Sequence, residues 1–352
     1  MGTILTSEHI DRNEWSTLVQ TSPTCTWFQT PEAYDFFASI PELFQPFVIG
    51  LSNDQRPTTN DKSHLCAICV GYVTKEKNPL KQFMTRRAII IGGPALADDA
   101  TDEEVFALMN AVINHHSFTH SLIHSFTHSP IYIETRNFND YSRWRGAFEK
   151  AGFSYQPHLN FHVDTSTVDI VEANLGKSRK RDIRTTIREG VTIVEHPTDK
   201  QVGEYYAILE HLYKTRVKTP LFPLSFFMCL NKQKDARFLL TELNGKIIGG
   251  TVCVEQAGKC LYEWFACGED GVYSHVFPSC YATYAGIRYA AEHGCKRFDM
   301  MGAGKPNEAY GVRDFKAKFG GKEVEHGRFL CLTKPLMYKM GKVGVYILKK
   351  LK

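Results

Sequence analysis

The stretch GAGKPNEAYGVRDFKAKFGG, residues 302–321, predicts the local fold on which the second half of the chain depends. It follows KRFDMM, a short run that is typical of a buried strand. Gly302 and Gly304 then predict a sharp turn, because glycine reaches positive φ without steric cost. GVRDFKAKF continues with helical spacing, and three apolar side chains share one stripe of that helix: Val312, Phe315 and Phe319.

Lys316 lies beside this apolar stripe, about 60° from its centre at ~100° per residue. A lysine in that place projects along the edge of a packed surface, where a cleft would lie. The alternative is a solvated amphipathic helix whose lysine covers the core with its stem and keeps its charge in water. The spacing alone leaves both interpretations open.

Length and composition indicate an ordinary globular protein. The 352 residues suit two domains, and 43% hydrophobic with 23% charged residues are globular values. A net charge of +4 means that an anionic partner must be met by a local basic patch. The 10 cysteines are scattered and no signal peptide precedes the chain, which favours a reducing cytosol. We therefore expect a cytoplasmic protein.

The two halves of the sequence repeat one order of elements, with strands, a helix and then a strand. Asn244-Gly245 is a strong hairpin signal inside the second set of strands. The repetition predicts a duplicated α/β (α+β) unit whose two parts join near DTSTVD. We expect a first domain over residues 1–165 and a second over 166–352, which ends in a basic helix. That last helix either packs on the protein or rests on an anionic membrane surface, and packing is favoured.

A histidine repeat lies in the first half, where HSFTHS occurs twice. Four of its histidines follow i, i+4 steps: His116, His120, His124 and His128. Metal binding is one interpretation, but no carboxylate or cysteine joins these histidines. An expanded surface linker is favoured, and we expect no metal site.

The segment NLGKSRKRDIRTTIREG, residues 174–190, is dense in cations. Arg181, Arg184 and Arg188 recur at helical spacing, so one helix face is a cationic ridge that would bind phosphates. A solvated basic helix face explains the pattern equally well. The chain has no GxxxxGK[ST], HExxH or GxSxG motif and no R-x-x-G-x-G turn of the kind that acetyl-CoA-binding folds use. We therefore expect no cofactor and, for an acyltransferase, a donor other than conventionally bound coenzyme A.

Six segments together resemble the Fem family of peptidoglycan interpeptide-bridge aminoacyltransferases. They are WFQTPEAY, IGGPALADD, KSRKRDIRTTIREG, GKIIGGTVCV, LYEWFACG and FDMMGAGKPNEAYGVRDFKAKFGG. The resemblance implies two tandem acetyltransferase-like (GNAT-like) domains with mixed central sheets flanked by helices. It also implies transfer of an amino acid from aminoacyl-tRNA to an amino group of a lipid-linked or nucleotide-linked peptidoglycan precursor peptide. Such ester aminolysis needs a positive group where the oxyanion forms, and no metal.

The resemblance also implies roles for individual residues. The Phe315-Lys316 pair would contact the reacting carbonyl or an adjacent donor phosphate, and Asp98 or Asp99 would hold the acceptor amine. Arg216 would bind a phosphate or carboxylate of the acceptor. Tyr262 would line the same cleft. Lys305 of the glycine turn is a further candidate for substrate binding that the resemblance does not assign. The candidates for contact with tRNA phosphates are in the basic segment: Lys177, Arg179, Arg181 and Arg184.

The sequence departs from the family at Phe36 and Phe37, where members often carry a lysine that meets the diphosphate of the acceptor. This departure speaks against a nucleotide-linked acceptor. Two alternatives therefore stay open. One is an N-acyltransferase acting on an exopolysaccharide or a small-molecule amine, and the other is a non-catalytic protein that binds tRNA or lipid with the same fold.

Overall fold

The computed structural model describes residues 2–53, 64–76, 78, 82–83, 85–115 and 129–341. The chain divides into two compact units. Unit 1 contains Met1–Pro157 and His326–Lys352, and unit 2 contains His158–Glu325. The histidines of the repeat, residues 116–128, and the last part of the basic C-terminus, residues 342–352, lie outside the described residues.

Unit 1 is built on one mixed sheet. Its strands are β1 Thr3–Thr6, β2 Phe44–Ser52, β3 Leu65–Thr74, β4 Ala88–Gly92, β5 Ala95–Leu96, β6 Tyr132–Asn137, β7 Ser154–Gln156 and β15 Arg328–Leu332. They follow the order β1-β2-β3-β4-β6-β15-β7, with β5 paired to β3. Among the described strands, β4 and β6 pair in parallel and the other neighbours are antiparallel.

The α-helices whose bounds are fully described in unit 1 flank this sheet, and local signals set where they begin. They are α1 Arg12–Thr21, α2 Pro31–Ala38, α3 Asp102–Ile113 and α4 Arg145–Lys150. The side chain of Thr30 caps α2 and Pro31 occupies its first turn, the positions that these residue types favour. Thr101 and Glu104 form a reciprocal capping box on α3, which links the parallel strands β4 and β6.

The C-terminal strand belongs to the first unit rather than the second. β15 pairs antiparallel with both β6 and β7, so it completes the sheet of unit 1. The predicted division at residues 165/166 differs from this arrangement in two ways. The chain first leaves unit 1 after Pro157, and it returns at His326.

Glu134 ties this returning strand to β6. Its carboxylate lies 2.9 Å from Arg136 Nε and 3.1 Å from Arg328 Nη1 of β15. Burial alone would raise the pKa of Glu134, but the two arginines outweigh burial and lower it to about 2. Folding therefore stabilises the ionised carboxylate.

We expect Glu134→Gln to lower the free energy of unfolding by about 3 kcal/mol at pH 7, since each pKa unit corresponds to about 1.4 kcal/mol. A lowered carboxyl pKa gives stability that is present above the unfolded pKa and is lost as pH falls toward 2. Urea unfolding of the unchanged chain and the variant measures this loss of stability at pH 7 and at pH 3. Glu149→Gln, which removes an exposed ion pair with Arg145, is the control and should cost less than about 1 kcal/mol. Equal losses of stability for Glu134→Gln and Glu149→Gln at pH 7 would contradict a stabilising role for the charge of Glu134.

Unit 2 is built on a second mixed sheet. Its strands are β8 Leu159–Asp164, β9 Thr192–Val194, β10 Ala236–Leu243, β11 Lys246–Gln256, β12 Cys260–Gly268, β13 Arg297–Asp299 and β14 Lys322–Glu325. Their order is β14-β8-β13-β12-β11-β10-β9. The predicted hairpin between β10 and β11 is confirmed, because Asn244 and Gly245 both have positive φ (51° and 75°).

Six α-helices pack on the second sheet. They are α5 Val168–Asn174, α6 Lys177–Arg188, α7 Asp199–Leu212, α8 Leu224–Asn231, α9 Pro278–Glu292 and α10 Gly311–Ala317. The helix α9 links β12 to β13, which are parallel neighbours. Each unit therefore contains a parallel strand pair joined by a helix within a mostly antiparallel sheet. The predicted fold class, two α+β units with mixed sheets flanked by helices, is confirmed. In the described part of the chain, no helix combines the length and the apolar composition needed to cross a membrane.

Candidate functional site

The chain turns sharply after β13, in the segment that opened the sequence argument. Three residues there have positive φ: Met301 (52°), Gly302 (114°) and Gly304 (79°). The predicted glycine turn is therefore confirmed. Met301 is not a glycine, and such a backbone conformation persists only where its surroundings hold it.

A pair of buried side chains holds this turn, and we call it the Asn160–Asp299 clamp. Asp299 Oδ1 accepts hydrogen bonds from Met301 N at 2.8 Å and from Asn160 Nδ2 at 2.7 Å. Asn160 Oδ1 in turn accepts from Gly302 N at 2.7 Å. His162 Nε2 lies 3.0 Å from the second carboxylate oxygen of Asp299. The two clamp residues, which lie on β8 and β13, thus bind backbone amide groups of the turn.

Asp299 carries a charge inside the protein. Burial by itself would raise the pKa of its carboxyl group, but His162, Arg297 and the hydrogen bond from Asn160 together lower it. The carboxylate is therefore ionised at neutral pH, next to the turn that it organises.

Lys316 points into the protein from α10. Its Nζ donates hydrogen bonds to the carbonyl oxygens of Met300 and of Gly302, the second at 2.9 Å. The solvated alternative from the sequence does not apply, because the ammonium is not in open water. Burial lowers the pKa of Lys316, and the charges of Glu263 and Asp299 counteract that effect. An ammonium has three N–H donors, and the two carbonyls accept from two of them.

The predicted apolar stripe of α10 is only partly correct. Phe319 is buried and Phe315 half-buried, whereas Val312 is 41% exposed. The helix ends at Ala317, so it presents less than two turns to the core. Its hold on unit 2 therefore depends on Phe315, Phe319 and the inward-facing Lys316.

Glu263 is a site residue that the sequence argument did not select. It lies on β12, is 5% exposed and accepts hydrogen bonds from Thr283 Oγ1 at 2.9 Å and Thr251 Oγ1 at 3.3 Å. Burial raises its pKa, and the charge of Lys316 acts in the opposite direction. A single carboxylate within the apolar strand CLYEWFACG was the available signal.

The basic segment divides into one buried cation and an exposed face. Arg179 is 9% exposed, and its guanidinium stacks over the rings of Phe315 (4.4 Å) and Phe319 (5.0 Å). It therefore joins α6 to α10 and is not exposed as a tRNA-phosphate contact would be. The three arginines of the predicted cationic ridge, Arg181, Arg184 and Arg188, are exposed, and so is Lys177 at the start of the helix.

Tyr262 and Lys305 of unit 2 contact partners other than Lys316. Tyr262 has 0% exposure and its hydroxyl donates to Gln256 Oε1 at 3.3 Å, so the expectation that it lines an open cleft is not met. Lys305 is exposed and forms an ion pair with Glu308 at 2.8 Å. The structure thus brings Arg179, Phe315 and Lys316 together, whereas Tyr262 and Lys305 contact other residues.

The remaining candidates are exposed. Arg216 lies in the π-helical turn Tyr213–Val217 that follows α7. Asp98 and Asp99 belong to unit 1, where they follow β5. Their carboxylates are accessible to a ligand amine.

Phe36 and Phe37, which replace a lysine of the resembled family, are core residues of unit 1. Both are almost fully buried, and Phe37 packs against Phe44 and Tyr72 with ring centroids 5.2 and 4.6 Å away. Neither position presents a side chain to a ligand. The departure from the family is therefore built into the packing of α2.

Comparison with known proteins agrees with this architecture. The family profile described as "Acetyltransferase (GNAT) domain" matches residues 177–316, a range that ends at Lys316. No curated protein sequence matches the chain significantly.

Three solved structures share the fold over nearly the whole chain. FemX is 13% identical, with a TM-score of 0.68 over 96% of this chain and 99% of that one. The C-terminal domain of a proposed lysylphosphatidylglycerol synthetase from Agrobacterium fabrum is 11% identical, with a TM-score of 0.54 over 95% of each chain. A tandem GNAT protein from the clavulanic acid biosynthesis pathway is 9% identical, with a TM-score of 0.55 over 94% of this chain and 98% of that one. The chain is therefore a transferase of the acyltransferase class, built from two tandem acetyltransferase-like domains.

Proposed function

We propose that the chain is a Fem-type aminoacyltransferase, which moves an amino acid from aminoacyl-tRNA to an amino group of a peptidoglycan precursor peptide. The observation that carries the proposal is the ammonium of the half-buried Lys316, held by two carbonyl oxygens of the turn that follows the parallel pair β12 and β13. A fixed positive group of this kind suits a reaction that develops negative charge on a carbonyl oxygen. The likeness of the fold to FemX supports the same class of reaction.

In this mechanism the neutral acceptor amine attacks the ester carbonyl carbon of the aminoacyl-tRNA. A C–N bond forms while the electron pair of the C=O bond moves to oxygen, where the third N–H of Lys316 stabilises the oxyanion. The intermediate then collapses, the bond to the ribose oxygen of the tRNA breaks, and a proton from the attacking nitrogen reaches that leaving oxygen.

A nucleotide-linked acceptor is disfavoured here, because the buried Phe36 and Phe37 provide no charge for a nucleotide diphosphate. Arg216, exposed in its π-helical turn, is a candidate for contact with acceptor phosphate or carboxylate. Cytoplasmic action next to the inner membrane surface is consistent with a lipid-linked acceptor.

The decisive experiment incubates the purified chain with pools of labelled charged tRNA and with lipid-linked, nucleotide-linked and polysaccharide amine acceptors. Mass measurement of each product identifies the transferred group and the acceptor. Incorporation of an amino acid into a precursor peptide supports the proposal. Acyl transfer from acetyl-CoA to a polysaccharide or small-molecule amine, with none from aminoacyl-tRNA, would replace it with the N-acyltransferase alternative.

The cationic ridge should supply the electrostatic part of tRNA binding. Arg181 is exposed on α6, as is Arg184 one turn later. Changing both to alanine is expected to reduce the slope of log binding constant against log salt by about 1.5, at roughly 0.7–0.9 per lost phosphate contact. Filter binding of tRNA at salt concentrations between about 50 and 300 mM measures this slope.

Lys200→Ala is the matched control for the ridge, since Lys200 is an exposed cation of the same unit on a different helix, α7. Its slope should equal that of the unchanged chain. A double variant with an unaltered slope would mean that the ridge is only a solvated helix face.

A further inference from the structure

Unit 1 contains a buried arginine that no carboxylate of the described residues neutralises. Arg86 lies just before β4 and is 7% exposed. Its Nη2 donates to Gln45 Oε1 at 2.8 Å, and its Nε has no hydrogen-bond partner within the part of the chain that the structure describes. The half-buried Arg136 and Arg328 of this unit differ, because they share the carboxylate of Glu134.

The described segments that are bonded to one another at Arg86 provide no anion. Residues 85–87, 129–133 and 328–336 contain neither aspartate nor glutamate. Removing a guanidinium from water without an opposite charge is unfavourable, and burial accordingly lowers the pKa of Arg86. An anion from outside the chain would remove this cost.

A second cation lies at the same edge of the sheet. Ile131 N donates to Arg86 O at 2.8 Å, and Lys334 N donates to Ile131 O at 3.1 Å, so three neighbouring segments are joined there. Lys334 Nζ donates to Ser129 O at 3.1 Å. Burial lowers the pKa of Lys334, and the charge of Arg86 acts in the same direction.

This edge is distinct from the one that carries the candidate acceptor residues. Arg86 precedes the first residue of β4, whereas Asp98 and Asp99 follow the opposite end of that strand and β5. A ligand bound at Arg86 is therefore separate from the acceptor amine of the proposed reaction.

We propose that Arg86, with Lys334 and Gln45, forms a binding site for a phosphate-type oxyanion. A guanidinium donates to phosphate oxygens through parallel N–H groups, and the buried Nε–H of Arg86 has no partner among the described residues. Lys334 adds a second positive charge, and the amide of Gln45 holds the guanidinium in place. The phosphate comes from a lipid headgroup or from a soluble molecule, and the site chemistry is the same for both.

The test compares thermal unfolding of the full chain in potassium phosphate and in potassium chloride of equal ionic strength. Phosphate should raise the unfolding midpoint of the unchanged chain, because a ligand that binds only the folded state stabilises it. Arg86→Gln should lose that response, and Lys334→Gln should weaken apparent phosphate affinity about tenfold. Arg12→Gln, at an exposed arginine already paired with Asp35, is the control and should respond like the unchanged chain.

Sedimentation with phosphatidylglycerol or phosphatidylcholine vesicles separates the two sources. Binding to phosphatidylglycerol that Arg86→Gln abolishes would assign the site to a lipid headgroup. A response to phosphate without vesicle binding would assign it to a soluble phosphate. The proposal fails if Arg86→Gln and the unchanged chain respond equally, or if the unchanged chain responds to neither probe. Because Arg86→Gln removes an uncompensated buried charge, it is expected to fold.

Discussion

Replacing Lys316 with methionine is expected to lower the rate of acyl transfer by a factor of about 10²–10³, the usual cost of losing one donor to a developing oxyanion. Methionine keeps an unbranched stem of similar length but has no charge and no N–H. The expected change is in kcat, with binding of tRNA by the exposed ridge unaltered. Single-turnover transfer from labelled aminoacyl-tRNA measures the first quantity, and filter binding measures the second.

The control for this variant is Lys318→Met, at an exposed position two residues later on the same segment. It should retain transfer. Because Lys316 also bonds two backbone carbonyls, its loss will lower stability, so the urea midpoint of each variant must be measured beside its rate. A folded Lys316→Met chain with unchanged turnover would remove Lys316 from the mechanism.

The pH dependence provides a second signature of the same residue. Transfer that needs the charged ammonium falls as pH rises through the pKa of Lys316, and burial places that pKa below its ordinary value of 10.5. The acceptor amine must be neutral, which gives the rising limb at lower pH. Lys316→Met should retain the rising limb and lose the falling one.

Local residue chemistry makes several turns and caps of the fold predictable, including the turn beside Lys316. The positive φ values at Gly302, Gly304 and Gly245 follow from residue type, as does the Thr30 cap with Pro31. These features depend on neighbours within four residues, so the sequence contains nearly all of their causes.

The remaining features depend on contacts between distant segments. Asn160 and Asp299 are 139 residues apart, and neither has an unusual local context that would pair them. Arg179 looked like one more cation of a helix, and only its stacking on Phe315 and Phe319 removes it from the candidates for tRNA contact. β15 was assigned to the wrong unit because a short apolar strand does not indicate which sheet edge it joins.

The Asn160–Asp299 clamp should be the most sensitive point of unit 2 to substitution. Asp299→Ala leaves Asn160 Nδ2 and Met301 N without their acceptor, and it removes the buried carboxylate beside His162. We expect the free energy of unfolding to fall by about 3–5 kcal/mol, as when one partner of a buried charged network is deleted. Urea unfolding at pH 7 measures this loss. Asp314→Ala, at an exposed carboxylate of α10, should change stability by less than about 0.5 kcal/mol.

Asp299→Asn separates the charge from the shape. The amide oxygen can still accept from Met301 N, so this variant should lose less stability than Asp299→Ala. The pKa of Asp299 is lowered in the folded chain, so its charge stabilises the fold above the ordinary value of 3.8, and that contribution is lost as pH falls below it. The difference in stability between the unchanged chain and the Asp299→Asn variant should therefore narrow on acidification from about pH 5 toward pH 3. If this difference in stability stays constant with pH, Asp299 acts through its shape alone. If Asp299→Ala leaves the unfolding midpoint unchanged, other contacts hold the turn whose carbonyl oxygens bind Lys316.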